Sequence, residues 1–393
     1  MHWTRQGANV RAAIVSDQSY LNWPFFEERH RNLAGELEGW AKGNLPAHPI
    51  ERGDVDQACR DLVAAMGEAG WLNYAVPDDG HGFDLRTICL IREILGRHGA
   101  LADFAFAMQG LGTASITLFG TKDQRSKWLP GPRKGQVLTG FALSEPQAGS
   151  DISAMTTLVR EVAAGFEISG TKTWISNGGI AGQYVVFAKD GPKSTAFVVS
   201  TDTPGLTISD RLEMGSPHPM ATLKFDRCVV APEAVIGDRG AGIRIALSTL
   251  DIFRPSVGAA ALGLARRAFD EAKERATTRE IFGGKLADLQ LVQAQLADMA
   301  LKIDAAALLV YRAAWAKDSS GAERITREAA MAKLFATDAA QEIIDSAVQI
   351  WGAAGVQSGS VVEHLYRDIR AMRIYEGASE VQKMVIARTV LAQ

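Results

Sequence analysis

The apolar residues of this 393-residue chain change period twice, and no other feature limits its architecture as much. Up to about residue 133 they recur at helical spacing. The pattern predicts helices over residues 22–43 and 55–70 and apolar helices between 85 and 118. It adds a short helix from Gly120-Thr121-Lys122-Asp123-Gln124 to Trp128-Leu129-Pro130. The stretches Leu45-Pro46-Ala47-His48-Pro49 and Val76-Pro77-Asp78-Asp79-Gly80-His81-Gly82 read as loops between them. Short β-branched or aromatic runs follow at 137–143, 166–169, 183–188, 195–200, 206–209 and 222–225, with Gly, Asn, Asp and Pro between them. That spacing predicts a small antiparallel barrel or sandwich. From about Gly242 the helical period returns in four long segments, 243–275, 286–316, 324–351 and 378–391, joined by short loops as in an antiparallel bundle. The expected class is α+β, with an N-terminal helical domain (1–133), a middle β-domain (134–240) and a C-terminal four-helix bundle (241–393).

Composition narrows the functional classes. A net charge of −3 with no block of like charge argues against a nucleic-acid footprint and against a polybasic membrane anchor. No apolar run reaches about 18 residues, so no membrane span is expected. Cys59, Cys89 and Cys228 are sparse and lack metal-ligand spacing, which reads as buried thiols in a reducing, cytoplasmic compartment with no metal site. His48, His81, His98, His218 and His364 show no ligand spacing either. The first dozen residues carry Arg5 and Arg11, no acid and no hydrophobic core. They fit a loose extension, or a short transit peptide, rather than a secretory signal.

Chemistry concentrates in three distant segments. Arg373-Ile374-Tyr375-Glu376-Gly377-Ala378-Ser379-Glu380-Val381-Gln382 puts a lone carboxylate on a turn between two helical patterns, where it can face a cleft. Alone, that turn also fits a surface glutamate capping a helix. Phe141-Ala142-Leu143-Ser144-Glu145-Pro146-Gln147-Ala148-Gly149-Ser150-Asp151 ends a strand in a loop rich in backbone N–H groups and hydroxyls, suited to hydrogen-bonding a ligand edge or phosphates. Trp174-Ile175-Ser176-Asn177-Gly178-Gly179 brings an indole and a hydroxyl to the end of another strand.

In sequence and in order, these segments resemble the acyl-CoA dehydrogenase family, and the resemblance runs from about Asn22 to the end of the chain. It implies the helical, β and four-helix domain order, FAD as cofactor and an acyl-CoA substrate. Glu376 is then the base that takes the proton alpha to the thioester, while the beta hydride passes to flavin N5 to leave trans-2-enoyl-CoA. Such a reaction needs a placed base, hydrogen bonds to the carbonyl and a hydride acceptor that no amino acid supplies. By resemblance the carbonyl is held by the Glu376 N–H and a ribityl hydroxyl, between Tyr375 and Gly377. Desolvation by the acyl chain should raise the Glu376 pKa.

The resemblance also assigns the cofactor contacts. Phe141, Leu143, Ser144, Gly149 and Ser150 contact the cofactor, with Ser144 at the pyrimidine side of the flavin ring and Ser150 serving a pyrophosphate and CoA. Trp174 covers one flavin face and Ser176 bonds N5. Arg279, Phe282, Gln290, Gln349, Gly352 and Ala353 reach the adenosine half of FAD in a neighbouring subunit, which implies a homodimer or homotetramer. Ala378 and Glu380 lie near the cofactor, with Ala378 replacing a usual threonine. Asp251 and Arg254 look like contacts to CoA and the site wall, although an intrahelical pair at i,i+3 is the plain alternative. Some relatives carry the base where this chain has Phe253, and a phenyl ring cannot abstract a proton. The bulk of Phe253, Phe104 and Phe106 would favour short, branched or cyclic acyl groups, with a core role as the alternative for the latter two. No arginine is obviously placed for a dicarboxylic tail. An electron-transfer flavoprotein is the implied electron acceptor. A flavin oxidase or monooxygenase on the same scaffold, and a nucleic-acid-binding relative, are the rival readings.

Overall fold

The computed structural model describes residues 17–46, 55–77, 82–319 and 324–392. The expected loop tips at 47–49 and 78–81, with His48 and His81, and the first dozen residues lie outside the described residues. The first block is helical as expected: α1 (Glu28–Asn44), α2 (Val55–Glu68), α3 (Leu72–Ala75), α4 (Leu85–His98), α5 (Ala100–Phe119), α6 (Lys122–Trp128) and α7 (Pro130–Arg133). Helix α1 starts at Glu28, later than the apolar pattern predicts. Residues Ser19–Asn22 form a separate 3₁₀ turn ahead of Pro24, and the His30 Nδ1 accepts from the Glu27 N–H at 3.0 Å to cap the later start. Helix α6 starts where expected, because Thr121 and Gln124 exchange side-chain to backbone hydrogen bonds at 2.9 and 3.1 Å.

The middle segment forms one sheet from β1 (Thr139–Ala142), β2 (Leu158–Val162), β3 (Gly165–Ser176), β4 (Gln183–Asp190), β5 (Lys193–Ser200), β6 (Leu206–Arg211), β7 (Met220–Val230) and β8 (Val235–Ile236). Its order is β6-β7-β3-β2-β4-β5-β8, with β1 also on β4. Pairings are antiparallel as expected except that β1 and β2 both run parallel to β4. The β2–β3 hairpin intervenes between β1 and β4, so β4 returns in the direction of β1. Strand β2 gave no apolar signal because none of its residues is buried.

The last block holds α8 (Gly242–Thr278), a small hairpin of β9 (Glu280–Ile281) and β10 (Gly284–Lys285), α9 (Gln290–Ser319), α10 (Thr326–Trp351), α11 (Val361–Met372) and α12 (Ser379–Leu391). Helix α11 was not among the four long segments expected. It is short, but Val362, Leu365, Ile369 and Met372 form its buried stripe, and Ser360 caps it by accepting from the Glu363 N–H at 3.3 Å. By contrast α12 buries only Ser379 and Gln382 and leaves Met384, Val390 and Leu391 exposed.

Two apolar cores result. One unites the first and last helical blocks; the other, around Tyr184, Phe197, Leu223 and Phe225, lies inside the sheet. Helix α8 is the axis of the larger core. A Cβ on its Gly263 would sit 2.1 Å from the Glu93 carbonyl, so only glycine lets α4 and α8 approach this closely. There Arg266 Nε donates to Glu93 Oε1 at 2.6 Å and the Tyr311 hydroxyl donates to Glu93 Oε2, tying α4, α8 and α9. Among the described residues α8 alone has the length and composition to cross a membrane, but 89% of that window is buried inside the protein.

Candidate active site

Glu376 stands on the connection between α11 and α12 with φ +53°, followed by Gly377 at φ +97°. A non-glycine residue in the left-handed region costs about 1–3 kcal/mol and persists only when its surroundings hold it. Here they do. Lys333 Nζ donates to the Gly377 carbonyl at 2.8 Å, Gln382 Nε2 to the same oxygen at 3.0 Å, and Arg254 Nε to the Glu376 carbonyl at 3.2 Å. Arg373 Nε and Ser379 Oγ both donate to Asp338 Oδ1, at 2.6 and 3.1 Å, and pin the turn at both ends. The two carbonyl oxygens of the turn are engaged while the side chain is not: Glu376 Oε2 is buried and has no hydrogen-bond partner among the described residues.

The electrostatics fit a base held in reserve. Burial raises the Glu376 carboxyl above the usual carboxylate range, and the Arg92, Lys333 and Arg254 cations pull it back. Lys333, on α10, is itself fully buried and pushed down to about 8 by that burial. Arg254 forms the expected i,i+3 pair with Asp251 at 3.1 Å, yet both are buried and the pair extends further. Asp251 Oδ2 also accepts from Arg324 Nη2 at 3.0 Å and from Thr326 Oγ1 at 3.3 Å. Phe253 is fully buried against Phe83 and the backbone of Gly110, so it can act only as a wall. Phe106 is core, whereas Phe104 is half-buried with its ring 4.7 Å from that of His218.

The β-domain loop is organised from beneath. Lys172 Nζ, fully buried, donates to Glu145 Oε1 at 2.8 Å and to the Leu143 carbonyl at 2.9 Å. Glu145 also accepts from the Thr156 and Thr157 N–H groups at 2.7 and 3.0 Å. These bonds fix the strand end at Leu143 and Ser144 and leave Gly149 and Ser150 exposed on the loop. The Thr173 N–H bonds the Ser144 carbonyl at 3.0 Å, which joins this loop to the Trp174 segment. The β3–β7 register slips between Lys172 and Ile175, and at that bulge Trp174 takes φ +59° and turns its indole outward, 57% exposed. Phe141, Ser144 and Ser176 are half-buried, and neither serine hydroxyl has a protein partner among the described residues. An outward indole with free hydroxyls and N–H groups around it suits a planar, hydrogen-bonding ring such as a flavin.

The remaining candidates lie apart from Glu376. Arg279, Phe282 and Gln290 belong to the α8–α9 connection, and Gln349, Gly352 and Ala353 to the end of α10. All six are exposed, Phe282 by 90%. The two regions are brought together by Trp351, whose Nε1 donates to the Glu271 carbonyl at 3.2 Å and whose ring lies under Arg275. No hydrogen bond among the described residues joins them to the Glu376 turn. Ala378 caps α12 through its carbonyl, Glu380 is exposed, and Tyr375 is 38% exposed beside Glu376.

Sequence reasoning passed over Arg92, Lys333, Gln382, Lys172 and Glu145 as site residues. Two carried a signal: Arg92 interrupts the apolar run of α4, and Lys172 takes an inward position on a strand. The bonds of Lys333 and Gln382 to the turn depend on tertiary packing alone. A cavity of about 80 Å³ between the α4–α5 turn, Ser216–Pro217 and α11 does not include Glu376.

Residues 27–136, 140–228 and 240–391 match, respectively, the N-terminal, middle and C-terminal domains described for acyl-CoA dehydrogenase. The mitochondrial short-chain specific acyl-CoA dehydrogenase of Rattus norvegicus is 38% identical, covering 84% of this chain and 82% of its own. The structure of butyryl-CoA dehydrogenase from Megasphaera elsdenii superposes with a TM-score of 0.84 at 30% identity, covering 93% of this chain and 99% of that one. An acyl-CoA dehydrogenase complexed with FAD from Bacillus anthracis superposes with a TM-score of 0.86 at 29% identity, covering 96% and 71%.

Proposed function

The chain belongs to the acyl-CoA dehydrogenase family, and from that membership we propose that it converts a short, branched or cyclic acyl-CoA to the trans-2-enoyl thioester with Glu376 as base. The observation that carries this reading is the buried, unpartnered Glu376 Oε2 on a backbone turn held by three donors. That oxygen has lost water without gaining a protein donor, so it is ready to take a proton from the Cα of a bound thioester. The Glu376 N–H and the neighbouring Tyr375 and Gly377 orient the thioester carbonyl. Arg254 and Asp251 hold the wall beside it.

FAD, when bound, supplies the acceptor for the Cβ hydride at N5. Trp174, Ser144 and Ser176 would hold its ring, and Gly149 and Ser150 its phosphates. Exposed Phe282, with Arg279, Gln290, Gln349, Gly352 and Ala353, would complete the adenosine site of a partner protomer. An exposed phenyl ring is better covered than left in water, which supports a homodimer or homotetramer. We place the enzyme in the cytoplasm, with an electron-transfer flavoprotein as its electron acceptor.

Two outcomes test the turn. A Cβ at Gly377 would fall 2.3 Å from Gln382 Nε2 at a φ that alanine resists, so Gly377→Ala should displace the base. Turnover should fall about 10²-fold with the circular dichroism unchanged; full activity would detach Gly377 from the site. The pH profile is the second. Glu376 must be ionised, so kcat/KM falls as pH drops through its raised pKa. On the alkaline side Lys333, pushed down to about 8, loses its charge beside Glu376, with Arg92, Arg254 and Asp103 the other charges facing that carboxylate. In Lys333→Arg the cation stays, and the fall above pH 8 should disappear. Lys172 also lies at about 8, so Lys172→Arg is the control that should retain it.

A further inference from the structure

The wall behind the Glu376 turn is ionic. Arg92 of α4 is 2% exposed among Ile88, Ile91 and Leu95, and Asp103 of α5 is equally buried. Arg92 Nε and Nη2 donate to Asp103 Oδ1 and Oδ2 at 2.8 and 2.9 Å, and Nη1 donates to Ser256 Oγ of α8 at 2.8 Å. Arg92 thus spans three helices and backs the Glu376 turn through α8, where Ser256 lies close to Arg254, which holds the Glu376 carbonyl; it is also the cation that acts most strongly on the Glu376 carboxyl.

A pocket for a plain alkyl chain does not need this pair. Well-packed apolar side chains of equal volume are often as stable as a buried ion pair or more so, so core stability does not account for it. Three of the five Arg92 N–H groups are engaged, and the other two have no acceptor among the described residues. Each Asp103 oxygen accepts one of these bonds and keeps a lone pair. The pair is also neutral as a unit. A carboxylate tail would meet Asp103, an ammonium tail would meet Arg92, and a long alkyl tail would desolvate both without replacing a hydrogen bond.

We propose that the Arg92–Asp103 pair sets acyl specificity, selecting a short acyl group that ends in a neutral hydrogen-bonding function such as a hydroxyl, ketone or amide. This rests on the acyl-CoA reading above and names its substrate class. The test mixes the FAD-loaded enzyme anaerobically with butyryl-, 4-hydroxybutyryl-, succinyl- and octanoyl-CoA and follows flavin bleaching. The 4-hydroxybutyryl thioester should reduce the flavin at least about tenfold more efficiently than butyryl-CoA, with succinyl- and octanoyl-CoA slower still. The paired variant Arg92→Met/Asp103→Leu should invert the hydroxybutyryl–butyryl order. Asp103→Asn, which leaves the guanidinium charge uncompensated, should gain succinyl-CoA reduction by about tenfold. Equal or better reduction by butyryl-CoA in the wild type overturns the proposal, whether or not the paired variant folds. So does an unchanged order in a paired variant that retains FAD. Bleaching by none of the thioesters instead removes the acyl-CoA reading, and this proposal with it.

Discussion

Glu376→Gln should retain FAD and fold while losing at least about 10³-fold in turnover, within the usual range for deleting a general base. The substitution is close to isosteric, and Arg254, Lys333 and Gln382 bind the backbone carbonyls of Glu376 and Gly377, not the carboxylate. The left-handed turn therefore survives, and only the proton acceptor is lost. Loss of the carboxylate also removes one partner of the Lys333 charge, so that lysine should titrate lower still in the variant. Turnover within tenfold of wild type would show that another group takes the proton.

The second large effect concerns stability of the Leu143–Asp151 loop, which we propose meets the flavin. Lys172→Met strands Glu145, whose side chain is fully enclosed with that of Lys172, and should cost about 3–5 kcal/mol. Burial would raise the Glu145 carboxyl, but the bonds from Lys172 and Thr157 hold it down at about 2. Because that folded value lies below the ordinary 4.5, its stabilisation is present above pH 4.5 and is lost only as pH falls through about 2. Without Lys172 the sign reverses. Glu145 rises above its ordinary value, so the variant is weakest at neutral pH and recovers on mild acidification. FAD affinity should fall in parallel, since Lys172 also holds the Leu143 carbonyl beside Ser144. Adding Glu145→Gln removes the stranded charge and keeps one amide oxygen to accept from either the Thr156 or the Thr157 N–H, which bond different oxygens of the carboxylate, and should restore part of the loss. Denaturation titrations at pH 7 and pH 5 decide this: a change under about 1 kcal/mol with FAD affinity intact refutes it.

Local pattern carried much of this fold. The return of helical spacing at Gly242 marks α8, and the Thr121–Gln124 capping box marks the start of α6. The lone carboxylate before Gly377 marks the proposed base only together with the two β-domain motifs, because the turn alone also fits a surface glutamate capping a helix. What escaped was decided at a distance. Strand β2 shows no apolar alternation because it is paired on β3 and β4 with no residue buried. Helix α11 is short, and its stripe makes sense only against α10 and α8. Arg92 was visible as a charge in an apolar run, but its partner Asp103 lies on the next helix and Ser256 is 164 residues away. The outward indole of Trp174 depends on a register slip against β7 that neither strand announces alone.

Proton exchange at Cα tests the role of Glu376 without relying on hydride transfer. The enzyme, with its FAD kept reduced by dithionite so that turnover is blocked, is incubated in D₂O with an acyl-CoA that it otherwise dehydrogenates. The recovered thioester is then analysed by mass spectrometry. Wild type should introduce deuterium at Cα, more slowly as the pH falls through the raised Glu376 pKa, and Glu376→Gln should introduce none above the buffer background. Deuterium entering at the wild-type rate in Glu376→Gln would mean that this carboxylate is not the base.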